Sequence, residues 1–174
     1  MVRDNVRRFL QSMQGLTPAP TDHLSDGLIK LRLLRYTLGT PYVGELPSYF
    51  FSIRLAKAPY TDLGRCDLRV GWADAILYAG NIGYRIFESH RGSGYAGRAT
   101  KLLLSFACEL MMEEVLITCD PDNLASRKTL ERILPHRYEG IVQVAENTPS
   151  YNNGDRAKCL FYYQTKDFKN ILSD

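Results

Sequence analysis

Between Asn81 and Cys119 the apolar period changes twice, and that change confines the fold. Asn81-Ile82-Gly83-Tyr84-Arg85-Ile86-Phe87 alternates, with Ile82, Tyr84 and Ile86 on one face and Gly83, Arg85 and Phe87 on the other, which is the period of a strand. From Tyr95 onward, Tyr95, Ala99, Leu102, Leu103, Phe106, Ala107, Leu110 and Met111 recur at three- and four-residue steps. That spacing predicts a helix of about four turns with one buried stripe. Val115-Leu116-Ile117-Thr118-Cys119 follows as a short buried strand, and Asn123 to Ile133 as a further helix opened by Asp120, Asp122 or Asn123. Strand, loop, helix, strand, helix places the chain in the α/β class.

The flanks extend this plan. Val6, Phe9, Leu10 and Met13 have helical spacing ahead of the breakers Gly15, Pro18 and Pro20. After Thr21 and Asp22, Leu28, Leu31, Leu34 and Leu38 predict a second helix over Leu24 to Tyr36 that ends near Gly39, with Lys30, Arg32 and Arg35 as its solvated face. Tyr49 to Ala56 and Arg65 to Gly71 read as neighbouring antiparallel strands, and Tyr138 to Val144 and Lys158 to Gln164 as two more. The polar stretch Asn147 to Asp155 reads as a mobile loop between the last two. At 174 residues, 45% apolar and 24% charged, the chain is expected to form one globular domain over residues 1–174.

A formal net charge of +3 exerts no strong pull on a polyanion, so no nucleic-acid partner is expected. Cys66, Cys108, Cys119 and Cys159 are widely spaced and the three histidines are scattered, so neither a metal site nor a disulfide framework is expected. No apolar run reaches the roughly 20 residues of a membrane span and the first residues lack the apolar segment of a signal peptide. The expectation is a cytoplasmic protein with no membrane partner.

The chemistry centres on Arg91-Gly92-Ser93-Gly94-Tyr95-Ala96-Gly97, between the strand ending near Phe87 and the long helix. The first N–H groups of a helix have no intrahelical acceptor and share the positive end of its macrodipole, so a phosphate placed there can accept them. Gly92 and Gly94 remove side chains that would hold a bulky anion off the backbone, and Arg91, Arg98 and Lys101 add positive charge. An ordinary glycine-rich turn would have the same composition. Neither G-x-x-x-x-G-K-[ST] nor G-x-G-x-x-G is present.

Arg91-Gly92-Ser93-Gly94-Tyr95-Ala96 resembles the R/Q-x-x-G-x-G/A signature of the GNAT superfamily of acyl-CoA-dependent N-acetyltransferases. Asp120-Pro121-Asp122-Asn123-Leu124-Ala125-Ser126 is similar to that superfamily's N-x-x-S motif, and the likeness covers Cys66 to Ile133. The resemblance implies a GNAT-like mixed, mostly antiparallel sheet of six or seven strands flanked by helices. It implies acetyl-CoA as co-substrate, its pyrophosphate held by Arg91, Gly92, Ser93, Gly94, Tyr95, Ala96 and Gly97. The pantetheine arm would lie beside Tyr84, Arg85 and Ile86, in a wedge between Asn81–Phe87 and Val115–Cys119, with Asn123 reaching its amide. An N–H near Ile86 would polarise the thioester carbonyl while a primary amine attacks directly.

Many family members carry a Tyr seven residues after the Asn, where it protonates the leaving thiolate; Leu130 stands there, and Ser126 is the nearest hydroxyl. Asp120, Glu88 and Asp67 are candidates for the general base, and each also reads as a surface charge, cap or ion-pair member. Cys119 is the one thiol near the wedge, with no histidine close in sequence. The acceptor is left as a small-molecule or peptide amine, with Lys30, Arg32 and Arg35 as an alternative acceptor rim to their reading as a solvated face. A non-catalytic CoA-binding or sensor module is the alternative, a module for another phosphate ligand such as a nucleotide a third. The edge of a late strand could be covered by a second copy in a homodimer.

Overall fold

The computed structural model describes residues 18–40 and 44–169. Four strands, β1 (Ile29–Thr37), β2 (Ser48–Leu55), β3 (Asp62–Arg69) and β4 (Ile82–Ile86), form one antiparallel sheet in chain order. Three more, β5 (Glu114–Cys119), β6 (Arg137–Gln143) and β7 (Ala157–Gln164), form a second in the order β5-β7-β6, also antiparallel. Four α-helical segments accompany them: α1 (Ile76–Ala79), α2 (Tyr95–Glu109), α3 (Leu124–Glu131) and α4 (Pro149–Asn152). The expected α/β fold with seven strands flanked by helices is present.

The core follows from the α2 stripe. Ala99, Leu102, Leu103, Phe106 and Ala107 are fully buried, and Phe106 meets Tyr49 and Phe51 of β2 edge-on, with ring centroids 5.0 and 6.1 Å apart. Alternate residues of β2 and β3, including Tyr49, Phe51, Cys66 and Leu68, thus turn to α2. Phe50 and Asp67, one step out of phase, turn to the opposite face.

The N-terminal part departs from expectation. The second helix anticipated over Leu24 to Tyr36 is instead β1, and Lys30, Arg32 and Arg35 lie on a strand. Ile29 and Leu31 are buried while Leu28, Leu34 and Leu38 are exposed, so the true period is two. A bulge between Leu33 and Arg35 interrupts it, so the alternation is broken midway and the three- and four-residue steps of Leu28, Leu31, Leu34 and Leu38 stand out instead. The helix expected over Val6 to Met13 lies outside the described residues. Within the loop expected at Asn147 to Asp155, α4 makes one turn, with Pro149 in its first turn and the Thr148 hydroxyl accepting the N–H of Tyr151 at 3.4 Å.

The two sheets meet at Asn81. Its main-chain N–H donates to the Leu116 carbonyl (2.6 Å) and its Oδ1 accepts the Leu116 N–H (2.9 Å). Its Nδ2 donates to the carbonyls of Arg69 (3.1 Å) and Gly71 (2.8 Å). Beyond this bracket β4 and β5 share no ladder, although Tyr84 sits close to Cys119. Two neighbouring strands joined at one end and unpaired at the other enclose a wedge.

Candidate active site in the wedge between the two sheets

One wall of the wedge is the free edge of β4. The Phe87 N–H donates to Leu63 on β3 at 2.9 Å, so the alternation of an antiparallel ladder turns the amides of Tyr84 and Ile86 the other way, toward β5. The Ile86 carbonyl on that edge accepts from Nε of Arg91 at 3.3 Å. Arg85 is exposed on the outer face of β4.

The glycine loop lies at the open end. Gly92 and Gly94 have φ of +82° and +75°, left-handed values that glycine adopts without strain, and a Cβ built at either would meet nothing within 4 Å. Among the described residues no acceptor takes the N–H of Gly92, Ser93, Gly94, Tyr95, Ala96 or Gly97, whereas the next amide, Arg98, is bonded to Gly94 at 3.2 Å. These orphan donors lie at the N-terminal end of α2, where its dipole is positive, which suits a diphosphate. A cleft of about 350 Å³ continues from Gly94 and Gly97 between α2 and α3, lined by Arg98, Lys101, Thr129 and Arg132. Arg98 is paired with Asp26 at 2.6 Å. Burial would raise the Asp26 carboxyl, but the N–H groups of Ile29 and Leu28 and the guanidinium outweigh it and hold it below the usual carboxylate range.

Across the wedge, the Tyr84 phenol and the Ser126 hydroxyl are 2.8 Å apart, joining β4 to the first turn of α3. Burial raises the Tyr84 phenol to about 12 despite the Ser126 bond. Asn123 caps α3, its Oδ1 accepting the N–H of Ser126 at 3.1 Å. Leu130, one turn beyond Ser126 on the same helix face, is fully buried, and its carbonyl accepts from the Tyr163 hydroxyl at 2.8 Å. Cys119 lies beside Ser126 and directly opposite Cys159, and burial raises its thiol to about 12. A thiol so raised is not a thiolate near neutrality.

The candidate bases differ sharply. Asp120 accepts from Nζ of Lys158 at 2.7 Å, and the same ammonium lies 2.9 Å from Asp155. Glu88 opens a short 3₁₀ turn (Glu88–His90) and is exposed. Asp67 is mostly buried on β3 over Gly83. Thr129 and Arg132 carry no local signal for this site, because they join the loop only once α2 and α3 pack, and Asp26 joins it only through Arg98, 72 residues on. Among the described residues no group of three or more His, Cys, Asp or Glu is placed to hold a metal ion, and no helix is long and apolar enough to cross a membrane.

Comparison with known proteins agrees with this fold. Similar solved structures include an acetyltransferase of the GNAT family from Bacillus anthracis, 19% identical, with a TM-score of 0.53 over 67% of this chain and 66% of that one. A ribosomal-protein-S5-alanine acetyltransferase from Vibrio fischeri is also 19% identical, with a TM-score of 0.53 over 70% and 64%. The microcin C7 self-immunity acetyltransferase, solved with acetyl-CoA and AMP, is 20% identical, with a TM-score of 0.51 over 67% and 61%. The chain thus spans slightly under two thirds of the length of these structures. No curated protein matches it. The profile of the acetyltransferase (GNAT) domain matches residues 6–133, and the chain belongs to that family.

Proposed function

We propose that the chain transfers an acetyl group from acetyl-CoA to a primary amine by direct attack. The observation that carries this reading is the run of six orphan amides from Gly92 to Gly97 at the mouth of a wedge whose β4 edge is unpaired. Those amides hold the pyrophosphate, with Arg91 beside them; Lys101 and Arg132 line the adjoining cleft for the phosphorylated nucleoside end. Asn123, the cap of α3, would reach the pantetheine amide, and the arm would lie along the strand carrying Tyr84, Arg85 and Ile86.

Bound there, acetyl-CoA supplies an activated acyl carbon. The N–H of Tyr84 or Ile86 donates to the developing oxyanion, and the hydroxyl pair Tyr84–Ser126 supplies the proton that the departing sulfur needs. A Cys119 thiol raised to about 12 favours direct attack over an acyl-enzyme. Asp120, committed to Lys158, and Glu88, exposed on its turn, are poorly placed as the base.

The alternative, a CoA-binding module without turnover, is favoured by Leu130 at the position where many relatives have a hydroxyl. Titration of acetyl-CoA, followed by mass spectrometry of a panel of amines incubated with it, separates the readings. Tight binding with an acetylated product supports transfer; tight binding with no product from any amine supports the module. Absence of binding removes both.

A further inference from the structure

The outer face of the first sheet, turned away from α2, carries an ordered row of side chains. Arg35 of β1 pairs with Phe50 of β2, Phe50 with Asp67 of β3, and Asp67 with Gly83 of β4, so the four residues are direct cross-strand neighbours. The row ends on the strand that forms one wall of the wedge, next to Tyr84. Strands about 4.8 Å apart set neighbouring members of the row within reach of one small molecule.

Each position has a distinct chemical character. The Arg35 guanidinium lies 4.2 Å above the Phe50 ring, and no carboxylate pairs with it among the described residues. Asp67 lies directly over Gly83: a Cβ there would come within 2.6 Å of Oδ1, so any larger residue would push the carboxylate aside from the wedge strand. Arg69 Nη2 is 3.0 Å from Asp67 Oδ2, misaligned for a hydrogen bond, and that buried oxygen has no other partner among the described residues. Burial outweighs the guanidinium and raises the Asp67 carboxyl above the usual carboxylate range. A cavity of about 630 Å³ opens over the Arg35 end of this row, lined by Arg35, Phe50 and Arg69, with Glu45 on its rim and the segments around Leu46 and Ile76 bounding it; Asp67 and Gly83 lie beside it rather than in its lining.

The charge on this face is lopsided. The next row, Arg32, Ser52, Arg65 and Arg85, adds three guanidinium groups, of which Arg65 is paired with Asp62. Asp67 beside the wedge strand and Glu45 on the cavity rim are the carboxylates here, set against the guanidinium groups of Arg35, Arg69, Arg32 and Arg85. A ligand with one cationic and one anionic end matches that pattern; a polycation does not.

Resting on the transferase reading, we infer that this row is the acceptor site and that the acceptor is a small amine also carrying a carboxylate or phosphate group. Its amine lies over Gly83 beside Asp67 and its anionic end lies on Arg35, flanked by Arg69. Asp67 takes one proton from the attacking nitrogen as the N–C bond forms and the C–S bond breaks. The sulfur takes its proton from the Tyr84–Ser126 pair on the other face of the wedge.

The test uses matched probes: L-amino acids against the amines formed by their decarboxylation, and O-phosphoethanolamine against ethanolamine, with spermidine as the polycation. Binding is read by ligand-observed NMR, independently of turnover, and acetylation by mass spectrometry. The expected result is at least about tenfold tighter binding of one anionic member over its partner, a preference that Arg35→Gln removes while Asp67→Asn weakens both members. The amino-acid and phosphate arms distinguish the two anionic groups. Equal binding within every pair, tighter binding of spermidine, or no anionic probe bound at about 10 mM overturns the inference. A separate acetyl-CoA titration reads the transferase proposal alone: a bound anionic amine with no acetyl-CoA binding would sink that proposal and leave this site standing.

Discussion

Replacing Asn81 by Ala tests whether one buried amide sets the geometry of the wedge. Asn81 is 1% exposed, and its side chain satisfies three main-chain groups: the N–H of Leu116 and the carbonyls of Arg69 and Gly71. An unsatisfied buried group costs about 1–3 kcal/mol; Leu116 is deeply buried and the two carbonyls are partly reachable by water, so a loss of about 2–4 kcal/mol is expected. For a chain of this size that lowers Tm by about 5–15 °C. Urea denaturation should show a lower midpoint at unchanged m, and acetyl-CoA affinity should fall because the apex then keeps only the main-chain bond from position 81 to the Leu116 carbonyl. A loss below about 1 kcal/mol, with unchanged affinity, would refute the bracket. Asn81→Asp sharpens the point: it keeps the acceptor for Leu116 but sets a carboxylate against two carbonyl oxygens. It should therefore be less stable at neutral pH than at about pH 4, where the carboxyl can donate.

Gly94→Val places a β-branched residue at φ +75°, costing about 1–2 kcal/mol of stability, and should weaken acetyl-CoA binding at least about tenfold; unchanged affinity in a folded variant contradicts the phosphate site. Tyr84→Phe removes the phenol that meets Ser126 and should lower kcat by roughly tenfold or more with acetyl-CoA affinity held within about twofold, whereas loss of affinity at unchanged kcat would make Tyr84 a binding residue only. Lys158 is kept charged because its two carboxylate partners outweigh burial, which alone would lower its pKa. Its folded pKa lies above the unfolded value, so its contribution is complete below about pH 10.4 and is lost as pH rises through the folded value. The stability difference between wild type and Lys158→Met, from urea midpoints at several pH values, should shrink across that alkaline window, and a difference constant in pH would show that the ion pairs do not contribute.

What the sequence discloses here depends on how far apart the cooperating residues lie. The strand at Ile82–Ile86, α2 and the start of α3 are legible because each is specified by its own period and by local signals, such as Gly94 at the turn and Asn123 as a cap. β1 is not: its arginines and leucines suit a helix, and the bulge after Leu33 hides the alternation that burial of Ile29 and Leu31 reveals. α4 carried a readable signal, Thr148 followed by Pro149.

The chemistry shows the same division. The glycine loop is a local object, so its orphan amides follow from glycines and a helix start. The Tyr84–Ser126 pair spans 42 residues, and the Asn81 bracket reaches Leu116, 35 residues on. The row from Arg35 to Gly83 depends on three successive registers, and shifting any one of them by a single residue would turn Arg35 or Asp67 toward α2 and the core. The choice among carboxylates is the same problem in smaller form. Asp120 and Asp67 are each an aspartate at or beside a strand in the sequence, yet the first is neutralised by Lys158 and the second is set over a glycine on the wedge strand. On the proposed reading, cofactor chemistry is specified by a short motif and acceptor chemistry by strand register, so changes scattered over β1, β2 and β3 would alter the acceptor without touching the loop proposed to hold the thioester's phosphates.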